Sequence, residues 1–183
     1  MNNYDLVKQV ENMVEEVKRG SFKPLLEADV VGFLYHLLIS KAKVSVAELH
    51  LDTRVRGARK NDKLDIVIGD ISTENIRRPV IVPRMVIEVK VFPIGFDAQQ
   101  HRVHYEHVLN DDLPKLQRIS QRKPDTAVVE LLYDECPYLD GKYKTQNRID
   151  YLLSMRDKIA QSAKVIVAKK KDKKADDWRV LLH

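Results

Sequence analysis

The stretch MVIEVKVF, residues 85–92, combines an apolar, strand-like run with two charges at its centre. A run of this kind, rich in valine and isoleucine, is typical of a strand that is buried on both faces of a sheet. Side chains alternate along a strand, so Glu88 and Lys90 share one face with Val86 and Phe92. A buried ion pair seldom offsets the cost of removing both ions from water. The stretch therefore predicts an interior strand whose two charges have a further partner.

A second apolar segment, KLDIVIGD at residues 63–70, contains a matching charge. Its period-2 pattern predicts a short strand with Leu64, Ile66 and Ile68 on one face and Asp65 on the other. The segment ISTENIRRPVIVP, residues 71–83, is expected to connect this strand to the one that follows. Asp65 is thus a third charge within the predicted interior of the sheet.

A fourth charge lies on a predicted helix near the amino terminus. This helix should begin near Pro24, which suits a first-turn position, and continue through LLEADVVGFLYHLLIS. Glu27 falls on one row with Val31, Leu34 and Leu38, at spacings of four, three and four residues. The spacing predicts that Glu27 lies along the stripe that faces the core.

Three carboxylates and one ammonium group form a coherent site if a divalent cation binds among them. Mg²⁺ prefers oxygen ligands, keeps several waters, and needs one or two carboxylates together with substrate phosphate. Asp65 and Glu88 provide such ligands. Lys90 would then face the attacking water or the scissile phosphate, where it stabilises developing negative charge.

These residues resemble the PD-(D/E)XK, or restriction-endonuclease-like, nuclease superfamily. The similarity consists of Glu27 on a helix, Asp65 on an apolar strand, and Glu88, Val89 and Lys90 on the next strand, and it extends from about residue 21 to the end. It implies that Asp65, Glu88 and the Val89 carbonyl bind the metal and that Lys90 assists phosphodiester hydrolysis. A water-mediated or second-metal role for Glu27 is implied as well. Leu64 stands where the family name has proline.

The remaining pattern alternates strands with helices. An amphipathic helix is predicted at the start, ending near Gly20. In VAELHLDTRVRG, residues 46–57, the period-2 pattern predicts an edge or half-covered strand with one wet face and with Leu49, Leu51, Thr53 and Val55 on the other. DDLPKLQRIS is predicted as a helix capped by Asn110 or Asp111, TAVVELLYDE as a strand, and NRIDYLLSMRDKIAQ as a helix. AKVIVAKK and DWRVLL complete a terminal hairpin. We therefore expect an α/β protein with a three-layer α/β/α arrangement around a mixed sheet.

Length and composition narrow the class of protein. The 183 residues suit one nuclease-like domain, with residues 1–20 as an amino-terminal helix and residues 21–183 as its core. No apolar run is long enough to cross a bilayer, so we expect a soluble, cytoplasmic protein without a membrane partner. Cys136 is the sole cysteine, which excludes an intramolecular disulfide and a multi-thiolate metal site. Intervals of three between His101, His104 and His107 invite a zinc hypothesis, but Tyr105 and Val108 claim the buried side, which favours a solvated helix or substrate-facing loop.

A net charge of +5 favours a polyanionic partner. The lysine run at residues 169–174 reads most simply as a solvated turn. A bound nucleic-acid backbone would instead pass over a basic cluster near Asp65 and over the helix that follows the Glu88 strand. The predicted contacts are Arg54, Arg56, Arg59, Lys63 and Lys115.

The residues and the resemblance together predict a nuclease that uses Mg²⁺, with Mn²⁺ able to substitute, to hydrolyse DNA phosphodiester bonds through a metal-activated water. DNA is preferred because the resembled family acts mostly on DNA. The alternative is a nuclease-fold binding or scaffold module that is inactive or needs a partner protein. A third possibility is that Glu88 and Lys90 merely pair across a wetter edge strand. Symmetric cutting of both strands would require a homodimer.

Overall fold

Six strands form one mixed sheet in the computed structural model, which describes residues 3–55, 59, 62–72, 80–172 and 177–183. Their spatial order is β1-β2-β3-β4-β7-β8. The strands are β1 (Leu49–Thr53), β2 (Leu64–Ser72), β3 (Val80–Phe92), β4 (Ala127–Asp134), β7 (Lys164–Lys170) and β8 (Trp178–Leu182). A separate two-stranded hairpin consists of β5 (Lys142–Tyr143) and β6 (Gln146–Asn147).

Five α-helices accompany the sheet within the same ranges. They are α1 (Asn3–Lys18), α2 (Glu27–Ser40), α3 (Ala98–His107), α4 (Leu113–Arg122) and α5 (Arg148–Ile159). The helix α1 ends where the sequence predicts, because Gly20 adopts a left-handed φ of 73° that allows the chain to turn away.

The centre of the sheet is parallel and its flanks are antiparallel. β3 pairs with β4 and β4 with β7 in parallel, whereas β1–β2, β2–β3 and β7–β8 pair antiparallel. Helices α3 and α4 connect β3 to β4, and α5 lies on the connection from β4 to β7. The prediction of a mixed sheet is therefore confirmed, with β1 at one edge as expected.

Apolar clusters on the two faces of the sheet define three layers. On one face, Val10 of α1 and Leu34 of α2 pack in a cluster with Ile87 of β3. On the other, Leu116 of α4 and Leu152 of α5 pack with sheet residues that include Val86. The α/β/α arrangement is thus present, with α1 and α2 on one side and α3 to α5 on the other.

Two boundaries differ from the sequence prediction. The helix α2 begins at Glu27 rather than Pro24, because the Asp29 carboxylate accepts hydrogen bonds from the Leu25 and Leu26 N–H groups and holds Leu26 in an extended conformation. Within the segment at residues 71–83, the described residues 71, 72 and 80–83 belong to strands rather than to a connection. β2 extends to Ser72 and β3 begins at Val80, so the two strands form a long hairpin.

The predicted faces of β1 and β2 are wrong at two residues. Leu51 is 41% exposed although Leu49 is buried, and the chain takes a positive φ of 42° at the next residue, Asp52. Leu64 belongs to the apolar cluster under α3 to α5, whereas Ile66 belongs to the opposite cluster. Alternation therefore fails at the first residue of β2.

The predicted cap of α4 is also wrong. The chain runs from α3 into α4 through one π-helical turn, residues 108–112, so Asp112 keeps helical dihedral angles and its side chain makes no cap hydrogen bond. Pro114 lies in the first turn of α4, as expected, since its missing N–H is tolerated there. The side chain of Asp112 is consequently free to point elsewhere.

None of the helices in the described ranges is long and apolar enough to cross a membrane.

Candidate active site

The site lies where β3 extends beyond the end of its pairing with β2. Strand pairing between β2 and β3 ends at Ile66 and Ile87, but β3 remains paired with β4 as far as Phe92. The side chain of Asp65 lies beside the part of β3 that has no partner on β2. Its Oδ2 accepts a hydrogen bond from the Val89 N–H at 2.7 Å. Asp65 is therefore fixed beside the charged part of β3.

Glu88 is 3% exposed and points toward the layer of α3 and α4. Its Oε2 accepts a hydrogen bond from Lys115 Nζ at 2.7 Å, while its Oε1 has no hydrogen-bond partner among the described residues. Burial, reinforced by the negative charge of Asp65, raises the pKa of Glu88 well above its usual range. Because Oε1 is buried without a hydrogen-bond partner among the described residues, a bound cation or a proton is needed to stabilise this carboxyl group.

Lys90 contacts acids from two parts of the chain, Glu27 of α2 and Asp112 of the π-helical turn. Its Nζ lies 3.0 Å from Oε2 of Glu27 and 3.7 Å from Oδ2 of Asp112. Burial works to lower the pKa of Lys90, but the nearby carboxylates of Asp112 and Glu27 outweigh it and the net shift is upward. Lys90 is therefore an ammonium ion at neutral pH, as a group that stabilises negative charge must be.

Lys115 of α4 contacts two acids of the site, Glu88 and Asp112. Its Nζ donates to Glu88, lies 3.4 Å from Oδ1 of Asp112, and donates to the Lys63 carbonyl at 3.1 Å. The predicted phosphate contact thus has its ammonium group bound to a carboxylate of the site. Glu27, Asp65, Glu88 and Lys90, which the sequence singles out, all belong to one connected cluster of charges, the site cluster.

Two members of the site cluster were not predicted. Glu130 of β4 is paired in register with Glu88, is fully buried, and has both side-chain oxygens without a hydrogen-bond partner in the described structure. Burial raises its pKa well above the usual range, with Asp112 and Glu88 adding to the shift. Glu130 stands within an apolar strand as Glu88 does, so the same argument would have found it. Asp112 depends on the π turn, for which the sequence carries no comparable signal.

Asp65 titrates near neutrality. Burial raises its pKa to about 6, the hydrogen bond from Val89 opposes the shift, and the charge of Glu27 adds to it. At pH 7 Asp65 is mostly ionised and available as an oxygen ligand. The acids of the site therefore differ in protonation, which allows one to bind a cation while another keeps its proton.

Asp65 and Glu88 are the residues of the site cluster that could hold a divalent cation. No three carboxylate, imidazole or thiolate groups in the described ranges form a ready metal-binding cluster. Mg²⁺ requires only one or two carboxylates, with water and phosphate completing its octahedron. Asp65 and Glu88, with its unpartnered Oε1, meet that requirement. The metal role of the Val89 carbonyl stays a prediction.

The basic residues predicted to bind nucleic acid fall into three groups. Arg59, Lys63 and Lys115 line a cavity of about 440 Å³ together with Arg118. Arg54 is exposed and does not line that cavity. Arg56 lies outside the described residues. This space, the basic cavity, also contains Asp62 and Asp111 and opens beside the site cluster through Lys115.

The three histidines of α3 have separate partners. His101 is buried, with Nε2 2.9 Å from the Pro93 carbonyl, rather than solvated as predicted. His104 Nδ1 lies 3.2 Å from the Val91 carbonyl, and His107 Nδ1 lies 3.2 Å from Oδ2 of Asp111. Each of the three rings therefore has its own backbone or carboxylate partner.

Comparison of the chain with protein-family models, with curated proteins and with solved structures finds no match.

Proposed function

We propose that this protein is a Mg²⁺-dependent nuclease that hydrolyses phosphodiester bonds of nucleic acid, with Mn²⁺ able to replace Mg²⁺. The observation that carries the proposal is the site cluster itself: Asp65, Glu88 and Lys90 meet at the open edge of β3, and Glu27 reaches them from α2. DNA is the expected substrate because the PD-(D/E)XK resemblance implies it.

Each side chain has a definite role in this proposal. Asp65 and Glu88 would hold the metal, which when bound acts as a Lewis acid and lowers the pKa of a coordinated water. Lys90, an ammonium ion, stabilises the negative charge that develops on the phosphate. Glu27 and Asp112 position Lys90 through their contacts of 3.0 and 3.7 Å.

Cleavage assays with single substitutions test the proposal. Purified protein is mixed with DNA and Mg²⁺, and Asp65→Ala, Lys90→Ala and Lys8→Ala are compared with the wild type. Lys8 is exposed and pairs with Glu11 on α1, so its replacement serves as the control. We expect Asp65→Ala and Lys90→Ala to lower the rate by roughly 100-fold or more, as losing a preorganised electrostatic group does. Robust cleavage that survives both changes would contradict the mechanism.

Calorimetric titration with Mg²⁺ and Mn²⁺ separates the enzyme from the binding or scaffold module. Metal binding that depends on Asp65, without cleavage, would indicate a module that needs a partner protein. Absence of carboxylate-dependent metal binding would indicate an inactive scaffold. Metal binding together with cleavage supports the nuclease.

A further inference from the structure

A second cavity of about 540 Å³, the apolar cavity, opens beside the site cluster. Glu27 and Lys90 form part of its wall. Most of the remaining wall is apolar, from Leu26, Phe96 and Val103. Leu26 is 59% exposed and Val103 is 45% exposed. Exposed apolar side chains that line a cavity beside charged groups point to a bound ligand with an uncharged part.

The two cavities differ in charge. In the apolar cavity, the charges of Glu27 and Lys90 offset one another at 3.0 Å. Burial, with help from the Lys90 charge, lowers the pKa of His104, so its ring is neutral at pH 7. The basic cavity instead combines four cationic side chains with only two carboxylates. Phosphate groups are therefore favoured on the basic side and disfavoured on the apolar side.

The two cavities meet at one side-chain pair. His107 lines the apolar cavity, Asp111 lines the basic cavity, and the two side chains are 3.2 Å apart. Lys90 faces the first cavity and Lys115 the second, with Asp112 in contact with both. A nucleotide with its phosphate at the site cluster would reach either side.

We propose that the apolar cavity holds an unstacked nucleobase next to the scissile phosphate, and that the substrate is therefore single-stranded or locally unpaired nucleic acid. This inference rests on the proposed nuclease function and narrows its substrate class. The base would contact Phe96 and Val103, since every base has an apolar face. In a continuous duplex the bases are stacked inside and cannot enter such a pocket unless they are flipped out.

His104 provides a polar contact for the base. Its Nδ1 lies 3.2 Å from the Val91 carbonyl, so the neutral ring carries its proton on that nitrogen. The other nitrogen, Nε2, is then an acceptor for an amine or imino group of the base. The ring of Phe96 packs edge-on against His104, with centroids 4.9 Å apart, and supports its orientation.

Binding of an oligonucleotide that carries a fluorescent purine analogue tests this inference without any cleavage. The full chain is titrated in EDTA with the single strand and with the duplex of the same sequence. Val103→Asn, Phe96→Ala and Ile71→Asn are compared with the wild type. Ile71 is the matched control, because it is 55% exposed and lines neither cavity. Val103→Asn keeps the test valid should Phe96→Ala fail to fold.

We expect the single strand to bind more tightly than the duplex and its analogue to change emission. Val103→Asn and Phe96→Ala should weaken that binding roughly tenfold, the equivalent of about 1.4 kcal/mol, while Ile71→Asn should not. Equal affinity for duplex and single strand, with no effect of either cavity substitution, would overturn the inference. So would an analogue whose emission stays that of the free strand at every position.

A parallel cleavage assay with Mg²⁺ distinguishes the two proposals. Cleavage of a continuous duplex, with no response to Val103→Asn, would leave the nuclease proposal standing and remove the base-binding cavity. Base binding that depends on Val103, in a protein that cleaves nothing, would remove the nuclease proposal and leave the cavity as a nucleic-acid site.

Discussion

At the residue scale, the site cluster concentrates buried acids that oppose one another. Glu88 and Glu130 lie opposite each other on neighbouring parallel strands, and each raises the electrostatic cost of ionising the acids around it. Such a cost, in strands that apolar residues would stabilise better, is expected at functional sites rather than in structural cores. The mutual repulsion of these buried acids predicts measurable effects on the stability of the fold and on metal binding.

Glu130→Gln should stabilise the metal-free protein, and more so at higher pH. The folded-state pKa of Glu130 is raised, so the folded protein binds more protons than the unfolded chain and its stability falls as pH rises above the unfolded value of about 4.3. Glutamine removes that loss. The gain in the free energy of unfolding should be larger near pH 8 than near pH 5, with a slope of at most about 1.4 kcal/mol per pH unit, the limit for one proton.

Urea unfolding at several pH values measures this gain. Glu11→Gln, at an exposed position of α1, provides the control and should follow the wild type throughout. A Glu130→Gln protein whose stability tracks the wild type at every pH would show that Glu130 titrates normally.

Metal affinity should increase steeply with pH. Asp65 has a pKa of about 6 without metal, and a carboxyl must lose its proton to bind a cation. Below pH 6 both Asp65 and Glu88 must lose a proton, so the apparent affinity for Mg²⁺ should fall about 100-fold per pH unit there, and the raised pKa of Glu88 should extend a weaker dependence above pH 6. Calorimetry across this range measures it. An affinity independent of pH would exclude Asp65 and Glu88 as the ligands.

At the element scale, the hairpin of β2 and β3 is shaped by a bulge near its middle. The pairing register shifts between Ile68 and Gly69, where Gly69 lies opposite Pro83. A Cβ at Gly69 would stand 2.8 Å from the Pro83 Cα and closer still to the Val82 carbonyl oxygen. The Pro83 carbonyl accepts a hydrogen bond from Thr126, which ties the bulge to the start of β4. The close approach of the two backbones therefore requires glycine.

Gly69→Ala should destabilise the protein by about 1–3 kcal/mol, since both obstructing groups are backbone and cannot rotate away. Gly32→Ala is the matched comparison within α2, where an added Cβ meets nothing within 4 Å. That change should stabilise by roughly 0.5–1 kcal/mol, because alanine is the better helix former. Thermal unfolding of both variants gives the comparison, and equal effects would show that the bulge accommodates a side chain.

The sequence predicts the elements better than it predicts their ends. β3 and β4 are evident from apolar runs in spite of the charges within them, whereas the start of α2 depends on the Asp29 carboxylate binding two backbone N–H groups before it. Asp112 enters the site cluster only because a π turn joins α3 to α4. Local side-chain bonds and irregular helical turns leave no periodic signal, so these features could not be predicted.

At the scale of the whole molecule, the three layers and the meeting of Glu27 with Lys90 follow from one pattern. Apolar strands that alternate with amphipathic helices require a covered sheet, and Glu88 and Lys90 of β3 lie beyond the point where its pairing with β2 ends. The catalytic roles are proposals that the cleavage assays test, whereas the restriction-endonuclease-like class is proposed from the resemblance. Where a nucleic acid would place its bases and phosphates on this surface depends on the distribution of charge rather than on the fold.

Nucleic-acid binding should therefore depend on salt through the basic cavity. Each cation that contacts a phosphate releases counterions, with a slope of about 0.7 in log affinity against log salt for a single strand. Lys63 lines the cavity, and its backbone carbonyl, which holds Lys115, is unaffected by Lys63→Gln. This substitution should reduce the slope by about 0.7, whereas Lys8→Gln, on α1 across the sheet, should leave it unchanged.

Fluorescence anisotropy at several salt concentrations measures both slopes. Identical slopes for Lys63→Gln and wild type would place the phosphate path elsewhere, because a lysine that contacts phosphate cannot be removed without changing the number of ions released.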